Sequence, residues 1–242
     1  MGTTNRRWTV YVIHHSHTDI GFTDRQEKVA RNHADFIRQA VELAEAGQRF
    51  RWTCETFWSV EQFLSRADAS LKRRFEAAVR FGSIEITGNY LNMTELADDR
   101  LLRASLERAR QYASKLGVTV DSAMTADING FGWGYADALF DAGVRNLLTC
   151  VHIHHGMFPL FRKQLPFFWE TPAGERLLVW NGDHYHLGNV LGLAPGGVKR
   201  MSFFEDDFPS NHVTPNQEAL AEARIHAYLH RLEEEGYPYS FV

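Results

Sequence analysis

Strand-like and helix-like stretches alternate through the first 150 residues, and this alternation limits the fold more than any other feature of the sequence. Short runs of apolar and β-branched residues are each followed by a longer stretch with apolar residues at helical spacing. The strand-like runs are residues 8–13, 50–54, 83–87, 118–124 and 146–151. Strands that alternate with crossover helices are typical of a parallel sheet. The sequence therefore predicts an α/β protein.

Polar residues are concentrated directly after the predicted strands, in five stretches that are far apart along the chain. They are residues 14–19, Glu55, and residues 89–95, 127–133 and 152–155. The carboxyl ends of parallel strands lie on one face of a sheet, where α/β proteins build their binding sites. We therefore expect these five stretches to converge and to form the functional site.

The second part of the chain has a less regular pattern. Residues 167–171 and 176–180 are typical of a hairpin around a Pro-Ala-Gly turn. Residues 181–211 are rich in glycine, acidic and aromatic residues, which favours a lid rather than a core segment. A helix is predicted from Thr214 to about Glu235, because Thr-Pro supplies an N-cap followed by a first-turn proline.

The chain has 242 residues, which is enough for one large domain or two small ones. We expect a single domain over residues 8–242, preceded by a flexible tail over residues 1–7. Residues 239–242 are typical of the beginning of a strand. This favours the interpretation that the chain is a fragment of a longer protein, and the alternative is a short C-terminal strand that closes the sheet.

Composition excludes several classes of protein. Hydrophobic residues make up 44% and charged residues 23%, which is ordinary for a globular protein. The net charge of -4, without a cluster of Lys and Arg, is atypical of nucleic-acid binding. Two cysteines exclude a disulfide scaffold and an all-cysteine metal site. Since there is neither an apolar run of about 20 residues nor a signal-peptide core, we expect a cytoplasmic protein without membrane contacts.

The most informative motif is His15-Ser16-His17-Thr18-Asp19, directly after the first predicted strand. In extended backbone, every second side chain points to the same side, so His15, His17 and Asp19 share a direction. Imidazole and carboxylate groups are the ligands of zinc and similar divalent ions, and an open coordination position makes such a site catalytic. The motif therefore predicts a metal site, and the alternative is a pair of solvated histidines at a strand end.

A second candidate is Asp127, which follows the predicted strand 118–124 and precedes a glycine-rich loop. Its carboxylate is expected on the same face as the histidines. It could be a third metal ligand, a nucleophile or both, and the alternative is an aspartate that stabilises a turn or a helix start.

Other residues in the polar stretches are typical of a sugar site. Glu55 could bind a ligand, support a histidine or cap the following helix. Aromatic rings beside carboxylates can pack against the C–H faces of a sugar. The aromatic candidates are Phe22, Tyr90, Phe131, Trp133, Tyr135 and Tyr185, and the histidine candidates are His152 and His154.

Taken together, these segments resemble the N-terminal catalytic domain of glycoside hydrolase family 38, the class II α-mannosidases. The family begins with a strand and HxHxDxGW, which corresponds to residues 15–22, with Phe22 in place of the tryptophan. Its W-x-x-E segment corresponds to residues 52–55, and its D-x-x-G loop to residues 127–130. The order and approximate spacing agree over residues 8–150.

The resemblance implies an irregular parallel β/α barrel that binds Zn²⁺ or another divalent cation. It implies that His17, Asp19 and Asp127 ligate the metal and that Asp127 is also the catalytic nucleophile. The family's fourth ligand, a later histidine, and its general acid are expected beyond Val242, with His184, His186 and residues 205–207 as local alternatives. We expect the carbohydrate substrate to contact His15, Phe22, Glu55, Tyr90, Trp133 and His152.

The function that the resemblance implies is a retaining, metal-dependent glycosidase of the α-mannosidase type. One alternative is a metal-dependent carbohydrate deacetylase or amidohydrolase, in which the metal activates water and Asp127 is the general base. Another is a carbohydrate-binding domain without catalytic activity.

Overall fold

The computed structural model describes residues 6–47, 49–93, 96–128, 130–151, 164–193 and 217–242. Contacts divide the chain into two units. The larger is Ile13–His184, and the smaller combines Met1–Val12 with Tyr185–Val242. The described strands are β1 (Trp52–Cys54), β2 (Ile84–Ile86), β3 (Ser122–Ile128), β4 (Asn146–Val151), β5 (Leu165–Glu170) and β6 (Arg176–Asn181). The described helices are α1 (Gln26–Ala46), α2 (Phe57–Arg66), α3 (Ala69–Phe81), α4 (Asp99–Lys115), α5 (Trp133–Asp141), α6 (Leu187–Val190) and α7 (Gln217–Glu234).

The described strands of the larger unit form two sheets and are mostly parallel. β1 pairs with β2 in parallel, and the second sheet has the order β3-β4-β6-β5, with only the β5–β6 hairpin antiparallel. Between the two sheets, the Gly88 amide donates to the Ser122 carbonyl over 2.9 Å. A side chain at Gly88 would come within 3.3 Å of Val144, so glycine permits this close approach. The predicted α/β class is confirmed.

Two clusters of apolar side chains fill the larger unit. The first lies among α1, α2, α3, β1 and β2, and at its centre the Phe63 and Phe75 rings are 5.0 Å apart. The second packs α4 and α5 against β3, β4 and β6, with Leu106, Leu139 and Leu147 fully buried. Each helix thus covers the sheet with one apolar face, as the helical spacing of the sequence predicts.

Side-chain caps explain where two of the helices begin. The Asp68 carboxylate accepts a hydrogen bond from the Leu71 amide at 2.8 Å, and Asp98 accepts one from Leu101 at 2.7 Å. Each satisfies an amide that has no partner within the first turn of its helix. At the other end of α3, Gly82 has a φ of 78°, a left-handed conformation that stops the helix.

The smaller unit contains the helices α6 and α7. Tyr228, Leu229 and Leu232 on one face of α7 pack with Tyr237. The Trp8 ring stacks on Tyr237 at 5.8 Å. None of the helices in the described parts of the chain is both long enough and apolar enough to cross a bilayer.

Two sequence predictions about strands are wrong. Residues 8–13 do not form a strand; they contribute a single parallel bridge, Thr9 to Phe241, and the side chains from Val10 to Ile13 are exposed. Hydrogen bonds to residues 240 and 242 are too few for a ladder. β3 lies four residues later than predicted, because pairing with β4 selects Ala123, Met124 and Ala126, although alanine has a low strand propensity.

The paired phenylalanines of the first cluster allow a test of its contribution to stability. Replacing Phe75 by alanine would leave a cavity, since its side chain is fully buried. We expect the free energy of unfolding in urea to fall by about 3–5 kcal/mol. In the matched control, Phe81→Ala at the end of the same helix, the ring is 73% exposed and the change should stay below about 0.5 kcal/mol. Equal losses in both variants would contradict the described core.

His33 provides a test that depends on pH. It is buried on α1 with edge contacts to the rings of Phe36 and Trp58, and burial lowers its pKa below the ordinary 6.5. Below pH 6.5 the imidazole of His33 binds a proton more readily in the unfolded chain than in the folded chain. His33 therefore lowers the free energy of unfolding as the pH decreases, by at most about 1.4 kcal/mol per pH unit. We expect His33→Gln to flatten the dependence of urea stability on pH between neutral and mildly acidic conditions. His226→Gln, at an exposed position on α7, should leave the slope unchanged.

Candidate functional site

A buried carboxylate joins the two histidines of the HxH motif. His15 Nδ1 lies 2.7 Å from Glu55 Oε2, and His17 Nδ1 lies 2.6 Å from Glu55 Oε1. The side chain of Glu55 is only 3% exposed, and those of His15 and His17 are 11% and 9% exposed. These distances are those of charge-assisted hydrogen bonds, which hold both rings in place.

The backbone brings these residues together at the end of β1. The His14 carbonyl accepts a hydrogen bond from the Thr53 amide at 2.8 Å, so the HxH segment lies beside β1. Glu55 directly follows this strand. Its own carbonyl accepts a hydrogen bond from the Thr87 hydroxyl at 2.8 Å, which links it to the residue after β2. Polar residues after neighbouring parallel strands thus meet at one edge, as predicted.

The charges of this cluster are set by its hydrogen bonds. Burial alone would raise the pKa of Glu55, but the hydrogen bonds from His15 and His17 outweigh it and lower the pKa to about 2. For His17, burial lowers the pKa, but the hydrogen bond to Glu55 and the negative charges nearby outweigh burial. The pKa of His17 is therefore raised above the ordinary 6.5. Glu55 is therefore an ionised acceptor at neutral pH.

Asp127 occupies an irregular position in β3. The register of β3 against β4 shifts between Ala126 and Ile128, and Asp127 has a φ of 58°. An extra residue in a strand bends it and redirects a side chain, and such irregularities are frequent beside active sites. The carboxylate of Asp127 is 18% exposed and its Oδ2 lies 3.8 Å from His17 Nε2.

Three of the predicted ligands lie close enough together to share one ion. A ring nitrogen of His17 and one carboxylate oxygen from each of Asp19 and Asp127 lie within 4.8 Å of one another. Ligand atoms at about 2.1 Å from a tetrahedral ion are about 3.4 Å apart, so small side-chain rotations would suffice. One imidazole with two carboxylates suits zinc and similar divalent cations. The chemistry and the spacing of these donors fit such an ion.

The other predicted substrate contacts are placed differently. The Phe22 ring is 86% exposed. The Tyr90 hydroxyl donates to Glu61 Oε2 at 2.9 Å, and the Arg108 guanidinium lies 4.9 Å from the centre of its ring, so the Tyr90 hydroxyl is engaged between α2 and α4. His152 lies outside the described residues, as do His154 and residues 205–207.

Trp133 lies at the start of α5, where its indole nitrogen donates to the Glu170 carbonyl at 3.2 Å and its side chain is 61% exposed. It lines an apolar pocket of about 470 Å³ together with Phe131, Phe167 and Trp169. Residues 130–133, shortly after the end of β3, form one wall of this pocket. Its aromatic rings are suited to packing against apolar faces of a ligand.

Two asparagines of the site had not been singled out from the sequence. Asn92 Nδ2 donates to Glu55 Oε1 at 2.5 Å. Asn89 Nδ2 donates a hydrogen bond to the Met124 carbonyl at 2.9 Å, and Asn89 Oδ1 accepts one from the Tyr135 hydroxyl at 2.9 Å. Both belong to the polar stretch after β2, so the rule of strand ends predicts their location but not their partners.

Comparisons with known proteins identify the family of this chain. The family model described as "Glycosyl hydrolases family 38 N-terminal domain" matches residues 7–235. A comparison with curated proteins gave no match. Among solved structures, the chain is similar to a protein in the glycosyl hydrolase family 38 from Enterococcus faecalis, with a TM-score of 0.67 and 12% identity over 99% of this chain.

Two further structures show related folds. An α-mannosidase from Enterococcus faecalis V583 matches with a TM-score of 0.63 and 17% identity over 76% of this chain. A 4-α-glucanotransferase from Thermococcus litoralis matches with a TM-score of 0.52 and 13% identity over 75% of this chain, which is 28% of that protein. The chain spans 23% and 21% of the length of the two Enterococcus chains.

The family match covers nearly the whole chain, and it confirms the resemblance to this family. The chain belongs to glycosyl hydrolase family 38 and corresponds to the N-terminal domain of that family.

Proposed function

We propose that the chain is the metal-binding catalytic part of a retaining glycosidase that acts on α-mannosides, with Asp127 as the nucleophile. The observation that carries this proposal is the meeting of His17, Asp19 and Asp127, which are up to 110 residues apart in sequence, within 4.8 Å. Family membership and the similarity to an α-mannosidase support the reaction class.

His17, Asp19 and Asp127 would hold Zn²⁺ or another divalent cation. When bound, such an ion would bind two adjacent sugar hydroxyls and disperse charge that develops on them. The three side chains are each partly exposed, so a sugar could reach the same centre. The carboxylates would fix the orientation of the sugar ring, and His17 is in turn fixed by Glu55.

The chemical step uses the carboxylate of Asp127. One oxygen attacks the anomeric carbon, the bond from that carbon to the leaving oxygen breaks, and the leaving oxygen takes a proton from a second acid. Water then gives a proton to the conjugate base of that acid and attacks the anomeric carbon, and the bond from this carbon to Asp127 breaks. This step restores both the carboxylate and the acid, and the configuration is retained. The redirected backbone at Asp127 supports this role, because it turns the side chain away from the regular strand pattern.

For the substrate contacts, we propose stacking on Phe22 and Trp133, which both expose their rings. Tyr90 could contribute its ring but not a free hydroxyl, since Glu61 accepts it. We propose that His15 contacts the sugar through the ring atoms that do not bond to Glu55. His152 is proposed as a contact because it directly follows β4 in the sequence.

We propose that residues 8–242 form a single domain and that its fold is an irregular parallel β/α barrel. β1 pairs with β2, β3 with β4, and β4 with β6, and all three pairings are parallel. The Gly88–Ser122 hydrogen bond joins the two described sheets. The family match over residues 7–235 supports the extent of the domain.

Activated aryl α-mannosides test the role of Asp127. A dinitrophenolate leaves without a proton, so its release depends on the nucleophile and not on the general acid. We expect the zinc-loaded chain to hydrolyse 2,4-dinitrophenyl α-mannoside with retention of configuration, measured by proton NMR. Asp127→Asn should lower kcat by at least about 1,000-fold.

The matched control is Asp121→Asn, which changes an exposed carboxylate just before β3 and should retain the wild-type rate. Full turnover by Asp127→Asn would contradict the assignment of the nucleophile. A zinc-loaded wild-type chain that leaves the activated substrate intact would contradict the glycosidase proposal itself.

A further inference from the structure

We infer that Glu55 is a positioning residue rather than a substrate contact: it fixes the ring of His17 from behind, and His15 and Asn92 hold Glu55 in place. This inference rests on the proposed metal site and adds a function for three side chains that do not belong to the ligand set. It also corrects the expectation that Glu55 contacts the sugar.

Both oxygens of Glu55 are occupied by neighbouring side chains. His15 Nδ1 lies 2.7 Å from Oε2, while His17 Nδ1 and Asn92 Nδ2 lie 2.6 and 2.5 Å from Oε1. The carboxylate is 3% exposed. A sugar hydroxyl would therefore have to displace one of these bonds before it could reach Glu55, and a buried site offers no replacement for the lost partner.

The direction of these bonds selects one form of the His17 ring. An ionised carboxylate can only accept, so the proton of the neutral ring lies on Nδ1 and the lone pair lies on Nε2. His17 Nε2 is the atom that lies 3.8 Å from Asp127 Oδ2. Glu55 thus leaves the lone pair of His17 on the side of the two aspartates, which is the arrangement a metal ligand needs.

The two histidines of the HxH motif consequently have different roles. His17 belongs to the group of candidate ligands with Asp19 and Asp127, and His15 does not. His15 makes an equivalent bond to the other oxygen of the same carboxylate. His15 thus restrains the second oxygen of Glu55, and Asn92, in the loop after β2, donates a third hydrogen bond to this carboxylate.

Glu55→Gln tests this role, because an amide has one accepting oxygen and cannot accept from both rings. Long-range nitrogen–proton NMR of the histidine rings, recorded without metal or sugar at alkaline pH, reports which nitrogen carries the proton. We expect both rings of the wild type to carry the proton on Nδ1. In the variant the amide oxygen can accept from only one ring and the NH2 group must donate to the other, so one of the two rings should switch to Nε2 protonation. Zinc affinity, measured by competition with a chromophoric chelator, should fall about 10–100-fold.

Glu85→Gln is the matched control. Glu85 lies on β2 and accepts hydrogen bonds from the hydroxyls of Thr53 and Ser122, so it has hydroxyl partners but no histidine. Neither the His17 ring form nor the zinc affinity should change in this variant. If Glu55→Gln does not fold, Asn92→Ala retains the carboxylate and should lower zinc affinity by a smaller factor of about 3–10.

Unchanged ring forms of both His15 and His17 with unchanged zinc affinity in Glu55→Gln, together with unchanged zinc affinity in Asn92→Ala, would overturn the inference. So would a rise in KM for sugar with unchanged zinc affinity, because it would identify Glu55 as a substrate contact. Since neither NMR nor zinc titration involves a sugar, failure of the glycosidase proposal leaves this test intact.

Discussion

The ionised carboxylate of Glu55, buried between two imidazole rings, is the interaction on which the rest of the site depends. A buried charge is costly unless it is fully hydrogen-bonded, and here three donors satisfy it. Those donors come from the segment after residue 13 and from the loop after β2. The same bonds that make burial of the charge tolerable therefore fix two distant segments of chain relative to β1.

The remaining parts of the larger unit act as the frame for this arrangement. Parallel pairing places the ends of β1 and β2 side by side, and the hydrogen bond from Gly88 to Ser122 links β3 to the segment after β2. The apolar faces of α1 to α5 cover these strands. The strands and helices determine the backbone positions of Glu55, Asn92 and Asp127. Hydrogen bonds then orient the side chains of Glu55 and Asn92.

The sequence predicted those features that follow from local pattern. The alternation of the sequence predicted helices after the strand-like runs, and α1 to α5 lie there. The rule that polar residues after parallel strands converge predicted that residues 14–19 and 127–133 meet, and ligand atoms of His17, Asp19 and Asp127 lie within 4.8 Å of one another. The motif also predicted two histidines on one side of the chain, and Glu55 bonds to both.

What could not be predicted depends on contacts distant in sequence. The position of β3 follows from its pairing with β4, since its alanines and threonines have no strong local preference. The bond from Asn92 to Glu55 joins residues 37 positions apart, and no spacing in the sequence encodes it. The different roles proposed for His15 and His17 likewise follow from which ring lies near Asp127, and alternation along a strand cannot distinguish the two rings.

The left-handed backbone of Asp127 has a consequence for how this position can change during evolution. A residue with a Cβ atom in that conformation costs about 1–3 kcal/mol, whereas glycine adopts it freely. Selection for a more stable chain would therefore favour glycine at position 127, and only selection for the carboxylate can keep an aspartate there. A lineage that has lost the chemistry should drift towards glycine or asparagine at this site while retaining the surrounding sheet.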